Sequence, residues 1–579
     1  MGLFNSSENE DPTLIDGDLR TAIGLLGSSQ RVLLLLSALG RIAVGLCDLL
    51  VAATMYILFL LLQGQPASHH FWWTPETAFS AAVIATGLVV LRSVMELSSS
   101  RFVFRQIQNL QIAFLLQLTE GYSCLEWGRF VECNRGELSG HALHTAREAA
   151  DFYHRCVELT GNVVIVAAMT ATLLYKSLIA ACSLGFALVV LYGVHRFLIR
   201  NKLQDAAISR ETSLRNLQRH LADMFSSGKE IRAYGNHAFF QERIRRQAER
   251  AAVSYGRILL LPNLARIVAD QGAVLVFLSI IVAVQLRQGD ARQLLSLLVF
   301  YFVLSRRMLP LISQISLIAG QLESSYVNVR TVAQELDKCR KYRTPQLPAL
   351  LPDAGLVLQM RKVTFSFFGG SPILRNINIS MRAGETIVIR GASGIGKTSL
   401  LNLIAGVSQP TSGSVYVDRT CTAYVPQEIS LLDDSIRNNL LFGSPERKDK
   451  EIFRALELAM LDDFVAVQPL GLEAAVGDSG ALFSGGERQR LGIARAILRG
   501  SQFLLLDEAT SALDEANERR VLENMTASGK SIILVSHRLH APSFAHRVFR
   551  LEEGTLKQEM NQEEPMNELT LSPAASGLV

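Results

Sequence analysis

The sequence predicts a multi-domain membrane protein: an all-α six-helix transmembrane domain followed by an α/β P-loop ATPase domain. Three observations carry this prediction. The first 330 or so residues hold six apolar segments, each near the roughly 20 residues that a bilayer demands. Further on, Gly391-Ala392-Ser393-Gly394-Ile395-Gly396-Lys397-Thr398 reads G-x-x-x-x-G-K-T, between a strand-like run and a helical one. The 579-residue chain is also 49% hydrophobic and only 19% charged, a balance that a membrane-embedded part joined to a soluble part explains.

Taken in order, residues 1–30 read as a cytosolic N-terminal segment. Its first 18 residues carry Glu8, Glu10, Asp11, Asp16 and Asp18, the opposite of a basic signal or transit sequence. The membrane domain is placed at 31–335, with spans near Ile42–Leu62, Ala78–Met95, Val157–Leu174, Leu178–Phe197, Ala265–Leu286 and Leu294–Ile315. The first outer connection carries Phe71-Trp72-Trp73, an aromatic anchor suited to the interface, and the turn near Lys176 is tight. The connections after Glu96 and Arg200 run about 60 residues each and are rich in arginine. Basic residues beside spans favour the cytoplasm, so both termini are expected inside. Ile107, Leu110, Phe114 and Leu118 in one connection, and Leu214, Leu217, Leu221 and Phe225 in the other, keep helical spacing. Both connections are therefore read as helices extended into the cytosol, each broken where a short cross-helix fits, within 123–136 and 223–235.

Charges inside spans are costly and face a cavity or a partner. Asp48, Arg266, Asp270, Arg306 and Arg307 qualify. Arg266 and Asp270 read as an i,i+4 ion pair. Arg306 and Arg307 lie near the middle of the sixth span, one turn before Pro310, and are candidates to bind an anionic substrate group; pairing with Asp48 or Glu96 is the structural alternative. Net charge is +4, too weak to indicate nucleic acid. The seven cysteines show no metal-ligand spacing and read as reduced thiols.

A linker is placed at 336–352, an α/β nucleotide-binding domain at 353–557, and a polar tail at 558–579. In the phosphate loop the glycines Gly391, Gly394 and Gly396 let backbone N–H groups approach phosphate oxygens, with Ser393 and Ser399 flanking; Lys397 reaches the β/γ oxygens, and the Thr398 hydroxyl is placed for Mg²⁺. Phe503–Asp507 reads as a buried strand delivering Asp507 as a metal carboxylate and Glu508 as the base for water. Ser484-Gly485-Gly486-Glu487 opens a helix whose cap and exposed N–H groups form a second anion site. Gln427, Ser511–Asp514 and His537 cluster in the same order.

These motifs resemble the ATP-binding cassette of exporter-type ABC transporters, in the half-transporter arrangement of one six-helix membrane domain fused to one nucleotide-binding domain, over about residues 20–557. The resemblance matches Gly391–Thr398 to the Walker A loop, Gln427 to the Q-loop and Ser484–Glu487 to the signature. It matches Leu504–Asp507 to Walker B, Glu508 to the catalytic base, Ser511–Asp514 to the D-loop and His537 to the switch histidine. Phe367 stands where an aromatic stacks on adenine, and Gly228–Gly235 resembles the second coupling-helix region. The sequence departs from the pattern at Phe483 and Glu487, and the stretch Gly413–Gln427 is short, with room for a hairpin. There is a faint likeness to lipid-linked oligosaccharide flippases.

The resemblance implies a homodimer using ATP and Mg²⁺, with each ATP between Walker A of one copy and the signature of the other. The implied function is ATP-driven export or flipping of an amphipathic, anionic lipid-linked substrate from the cytoplasmic side, by alternating access, in the cell inner membrane. Peptide or multidrug export and an ATP-gated channel are the alternatives. A soluble chromosome-type ATPase does not fit six spans, and importers usually keep the two domains on separate chains.

Overall fold

The computed structural model describes residues 15–62, 75, 77–176, 201–285, 291–344, 355–367, 370–477, 480–538 and 541–559. The chain divides into two units: Met1–Ser123 with Asn134–Lys341, and Cys124–Cys133 with Tyr342–Val579.

The first unit is helical, with α1 Ile15–Leu25, α2 Ser28–Leu62, α3 Ala78–Ser123, α5 Arg135–Gly140, α6 Ala146–Lys176, α7 Asn201–Ser226, α8 Gly228–Tyr234, α9 His237–Gln285 and α10 Ala291–Lys341. At 46, 49 and 51 residues, α3, α9 and α10 far exceed a bilayer; 46 residues span about 69 Å against about 30 Å of hydrocarbon. Among the described residues, Ser28–Leu62 and Ala78–Ser123 are long and apolar enough to cross a membrane. The expected span at 178–197, the anchor at 71–73 and the turn after Lys176 lie outside the described residues.

Beyond Met95, the apolar spacing of α3 becomes a core. Val103, Ile107, Leu110, Phe114 and Leu118 are buried against Ala146, Ala149, Ala150 and Tyr153 of α6 and Val329, Val332, Leu336 and Cys339 of α10. Two elements here differ from the sequence reading. The N-terminal segment contains α1, whose Ala22 and the following Leu26 are buried in this core and whose Ala22 carbonyl accepts a 2.7 Å hydrogen bond from the Tyr153 hydroxyl. Helix α10 also continues through Lys341, because Leu336 and Cys339 still face the core.

The second unit begins with α4, Trp127–Glu132, the short cross-helix expected in the first long connection; α8 is its counterpart in the second. The cassette carries β1 Leu356–Phe365, β2 Leu374–Arg382, β3 Thr386–Arg390, α11 Lys397–Ala405, β4 Ser412–Val417, β5 Thr422–Val425, α12 Ile436–Leu441, α13 Asp449–Leu458, α14 Asp462–Ala466, α15 Gly485–Leu498, β6 Phe503–Asp507, α16 Glu515–Ala527, β7 Ser531–Val535, β8 Arg547–Glu552 and β9 Thr555–Glu559. An antiparallel sheet runs β2-β1-β4, and a second, mainly parallel sheet runs β5-β6-β7-β3-β8-β9. The stretch Gly413–Gln427, short but with room for a hairpin, does not form one. Asp418 accepts the Thr420 N–H at 3.0 Å in a short turn that sends β4 to pair with β1 and β5 to pair with β6.

Central strands β3, β6 and β7 are covered on both faces, as continuously apolar parallel strands should be. Ile387, Ile389, Leu505, Ile533 and Val535 face one core with Leu400 and Leu401 of α11; Val388, Leu504, Leu506, Ile532 and Leu534 face the other with α12–α15.

Candidate nucleotide-binding site

Sheet register builds the site. Val425 is level with Leu506, Asp507 with Val535, and Ile389 with Val535. In the order β5-β6-β7-β3, the residues just beyond the strand ends are therefore Gln427, Glu508, His537 and Gly391, on strands about 4.8 Å apart. The carboxyl edge of a parallel sheet is where such folds bind ligands.

The side chains close on one another there. Gln427 Nε2 donates to Glu508 Oε2 at 2.9 Å, and His537 Nε2 lies 3.1 Å from Glu508 Oε1 and 3.0 Å from Lys397 Nζ. Lys397, only 6% exposed, donates to the carbonyls of Gly391 and Ala392, each at 2.9 Å. Burial lowers its pKa, opposed by the carboxylates of Glu508 and Asp507. Asp507 is buried and receives the Tyr424 hydroxyl at 3.1 Å; burial raises its pKa, while hydrogen bonds from Thr398 and Tyr424 pull it back. Glu508 holds a left-handed φ of 50°, an unfavourable backbone for a non-glycine residue, just where the strand turns away. A buried lysine leaning on its own loop carbonyls and a buried carboxylate with a raised pKa both favour an incoming polyphosphate and a divalent cation. Gly396, at φ 110°, could not become alanine without its Cβ meeting Ile373 Cγ2 at 2.7 Å. The residues present thus fit a phosphate cradle.

The signature residues line a different cavity, with Gly485, Gly486, Arg490 and Asp514 around it. Ser484 caps α15 in a reciprocal box: Glu487 N–H donates to Ser484 Oγ at 3.3 Å, and Ser484 N–H donates to Glu487 Oε2 at 2.8 Å. The glutamate at position 487 thus locks the helix start. Phe483 is buried and packs edge-on against Phe464 at 5.0 Å, which accounts for the aromatic at that position. Asp514 caps α16, accepting from Asn517 N–H at 2.8 Å, and this bond heads the causes that lower its pKa.

Phe367 follows β1, 38% exposed and edge-on to Phe365 at 4.8 Å. Arg306 and Arg307 lie in α10, but their side chains, like those of Arg266 and Asp270, fall outside the described residues. Asp48 and Glu96 are both engaged by Arg92, at 2.7 and 2.6 Å.

Three supporting groups were not legible in the motifs. Tyr424 holds Asp507. Gln489 bridges α15 to the turn after β6, donating to Ser511 Oγ at 3.0 Å and accepting Ala512 N–H at 2.8 Å. Arg538 pairs with the fully buried Glu518 at 2.7 Å and donates to the carbonyls of Ser511 and Leu513, bracing that turn. Arg538 does directly follow His537, and that adjacency was the available signal.

Residues 374–511 match the family model described as ABC transporter. The chain is 31% identical over 354 residues to the heterocyst differentiation ATP-binding protein HepA of Nostoc sp., covering 58% of this chain and 57% of that protein, little more than half its length. It is 26% identical over 510 residues to the ATP-dependent lipid A-core flippase of Bordetella avium, covering 83% and 84%. A bacterial Atm1-family ABC exporter solved with ATP bound shares the fold at a TM-score of 0.73, with 19% identity over 90% of this chain and 95% of that one.

Proposed function

We propose that this chain, whose cassette is that of an ABC transporter and whose fold is that of an ABC exporter, is a membrane-bound ATPase that drives export or flipping of an amphipathic substrate. The observation that carries the proposal is the division of the nucleotide site. Lys397, Thr398, Ser399, Gln427, Asp507, Glu508 and His537 gather around one phosphate cradle, while Ser484, Gly485, Gly486 and Asp514 line a separate cavity of the same chain at the start of α15, which Ser484 and Glu487 cap. Two copies facing each other unite the halves, with each ATP held by the cradle of one and the signature of the other. In this reading Phe367 stacks on adenine and Lys397 leaves its loop carbonyls for the β/γ oxygens. Gln427 releases Glu508, which accepts a proton from the attacking water, and His537 contacts the γ-phosphate. Mg²⁺ would be held by Thr398, Gln427 and Asp507 and would supply charge neutralisation at the phosphates.

The homodimer, six spans, cytoplasmic termini and inner-membrane location belong to the same proposal. So does an anionic, lipid-linked substrate received from the cytoplasmic side, favoured by Arg306 and Arg307 and by the activity named for the Bordetella relative. Glu508→Gln should keep ATP binding and lower turnover about 10²–10⁴-fold, and should stop movement of a pyrophosphate-linked glycolipid in proteoliposomes. Normal hydrolysis in that variant would refute the role of Glu508. Flipping of neutral lipids at the same rate, or unchanged transport by Arg306→Gln with Arg307→Gln, would refute the anionic substrate.

A further inference from the structure

We propose, resting on the shared-site reading above, that Arg538 is a positioning residue that ties the two half-sites of one chain together. Through it, nucleotide in a chain's own cradle sets the geometry that the same chain presents to nucleotide in the other copy's cradle. His537 and Arg538 are adjacent, and their side chains serve different halves. His537 Nε2 lies 3.1 Å from Glu508 and 3.0 Å from Lys397 in the cradle. Arg538 reaches instead to the turn at 511–514, of which Ala512, Leu513 and Asp514 line the signature cavity. The backbone between these two contacts is itself held, because the Arg538 N–H donates to the buried Ser536 hydroxyl at 3.1 Å.

The guanidinium is anchored at one nitrogen and grips with the other. Nη1 lies 2.7 Å from Oε2 of Glu518, a fully buried residue of α16 whose Oε1 accepts the buried Thr510 hydroxyl at 2.7 Å. Stripping the cation from so buried a carboxylate is costly, so this end stays in place. Nη2 donates to the Ser511 carbonyl at 2.9 Å and to the Leu513 carbonyl at 2.6 Å. The same turn meets the signature helix. Gln489 of α15 holds Ser511 and Ala512, and a Cβ added at Gly486 would stand 3.2 Å from the Ala512 carbonyl oxygen. The turn thus packs between Arg538 and the signature glycines, and a shift of the chain at His537 reaches those glycines through one side chain and one turn. Lysine does not reproduce this grip. Its single point charge serves the carboxylate or the carbonyls, whereas the planar fork serves both.

The test uses full-length mixed dimers, isolated with two tags, in which only one site hydrolyses. The first chain carries Glu508→Gln, so its cradle binds Mg-ATP without turnover. The cradle of the other chain faces the signature of the first and reports the rate. His537→Ala in the first chain should slow this reporting site about tenfold, although that histidine belongs to the silent site. Arg538→Lys in the first chain should slow it about as much, and the two substitutions together no more than either alone. Arg519→Gln, which breaks an exposed ion pair with Glu523 on α16, should leave the rate unchanged. Arg538→Lys keeps a cation beside Glu518. Where its unfolding midpoint nevertheless falls, Arg538→Gln with Glu518→Gln, which neutralises the buried pair as a unit, takes its place. Effects of His537 and Arg538 that multiply would overturn the proposal, as would a reporting site indifferent to either. Ser484→Arg in the first chain separates this inference from the reading beneath it. If the reporting site ignores Ser484→Arg, the sites are not shared and the reading itself falls. If Ser484→Arg stops that site while the His537 and Arg538 effects multiply, only the role of Arg538 falls.

Discussion

The two long connections, after Glu96 and after Arg200, carry the same kind of apolar spacing, and the structure treats them differently. In the first arm, Val103, Ile107, Leu110, Phe114 and Leu118 of α3 are buried against α6 and α10 of their own unit. In the second, Leu214 and Phe225 are 38% and 72% exposed while Leu217 and Leu221 between them are half-buried; around α8, Tyr234 and Phe239 are 75% and 58% exposed, and only Ile231 of that short helix is buried. These residues are cytosolic in the topology proposed, so lipid does not cover them. The contrast shows that a periodic stripe announces a buried face without saying which chain buries it. We attribute the cover of the second arm to a second copy, the same partner that the proposed sharing of the nucleotide site calls for.

The sharpest way to break this comparison is to truncate one aromatic in each arm. Phe114→Ala should destabilise the detergent-solubilised protein by about 3–5 kcal/mol, read as a lowered midpoint of unfolding. Phe225→Ala should leave that midpoint nearly unchanged and instead weaken self-association by about 2 kcal/mol, read by mass photometry. Equal loss of stability in both would show that the second arm is covered within its own chain.

Smaller effects sharpen the cassette side. Ser484→Ala should cost α15 about 1 kcal/mol of local stability by removing the cap, read by hydrogen exchange, and should also weaken nucleotide held by the other copy. For Asp507 the sign follows from its raised pKa. The folded state binds its proton more tightly than the unfolded state does, so the carboxylate lowers stability as pH rises through its folded pKa, and the penalty disappears below its unfolded value. Asp507→Asn should therefore raise the nucleotide-free melting temperature at neutral pH, more than at pH 4, and lose the further stabilisation that Mg-ATP gives the parent protein.

How much of this was legible follows from where the chemistry sits. Gly391–Thr398, Ser484–Glu487 and Asp507-Glu508 are contiguous because one loop, one helix start and one strand end each do a local job. Tyr424, Gln489, Arg538 and Glu518 are single residues brought together by sheet register and by packing between distant elements, which no local pattern announces. The 413–427 stretch left a hairpin open because two adjacent short strands look like one, whereas Asp418 turns the chain from one sheet to another. Helix α1 was missed because an acidic segment hides the two residues, Ala22 and Leu26, that its neighbours bury.

The central claim is that each ATP site is shared between two copies. It is tested most directly by counting occluded ATP in defined mixed dimers, with Glu508→Gln in every chain. One chain carries Lys397→Ala and the other Ser484→Arg. Each variant paired with itself has no intact site, whereas the mixed pair brings one intact cradle to one intact signature. The account predicts one ATP occluded per mixed dimer and none in either homodimer. No occlusion in the mixed dimer would place cradle and signature in the same chain and contradict it.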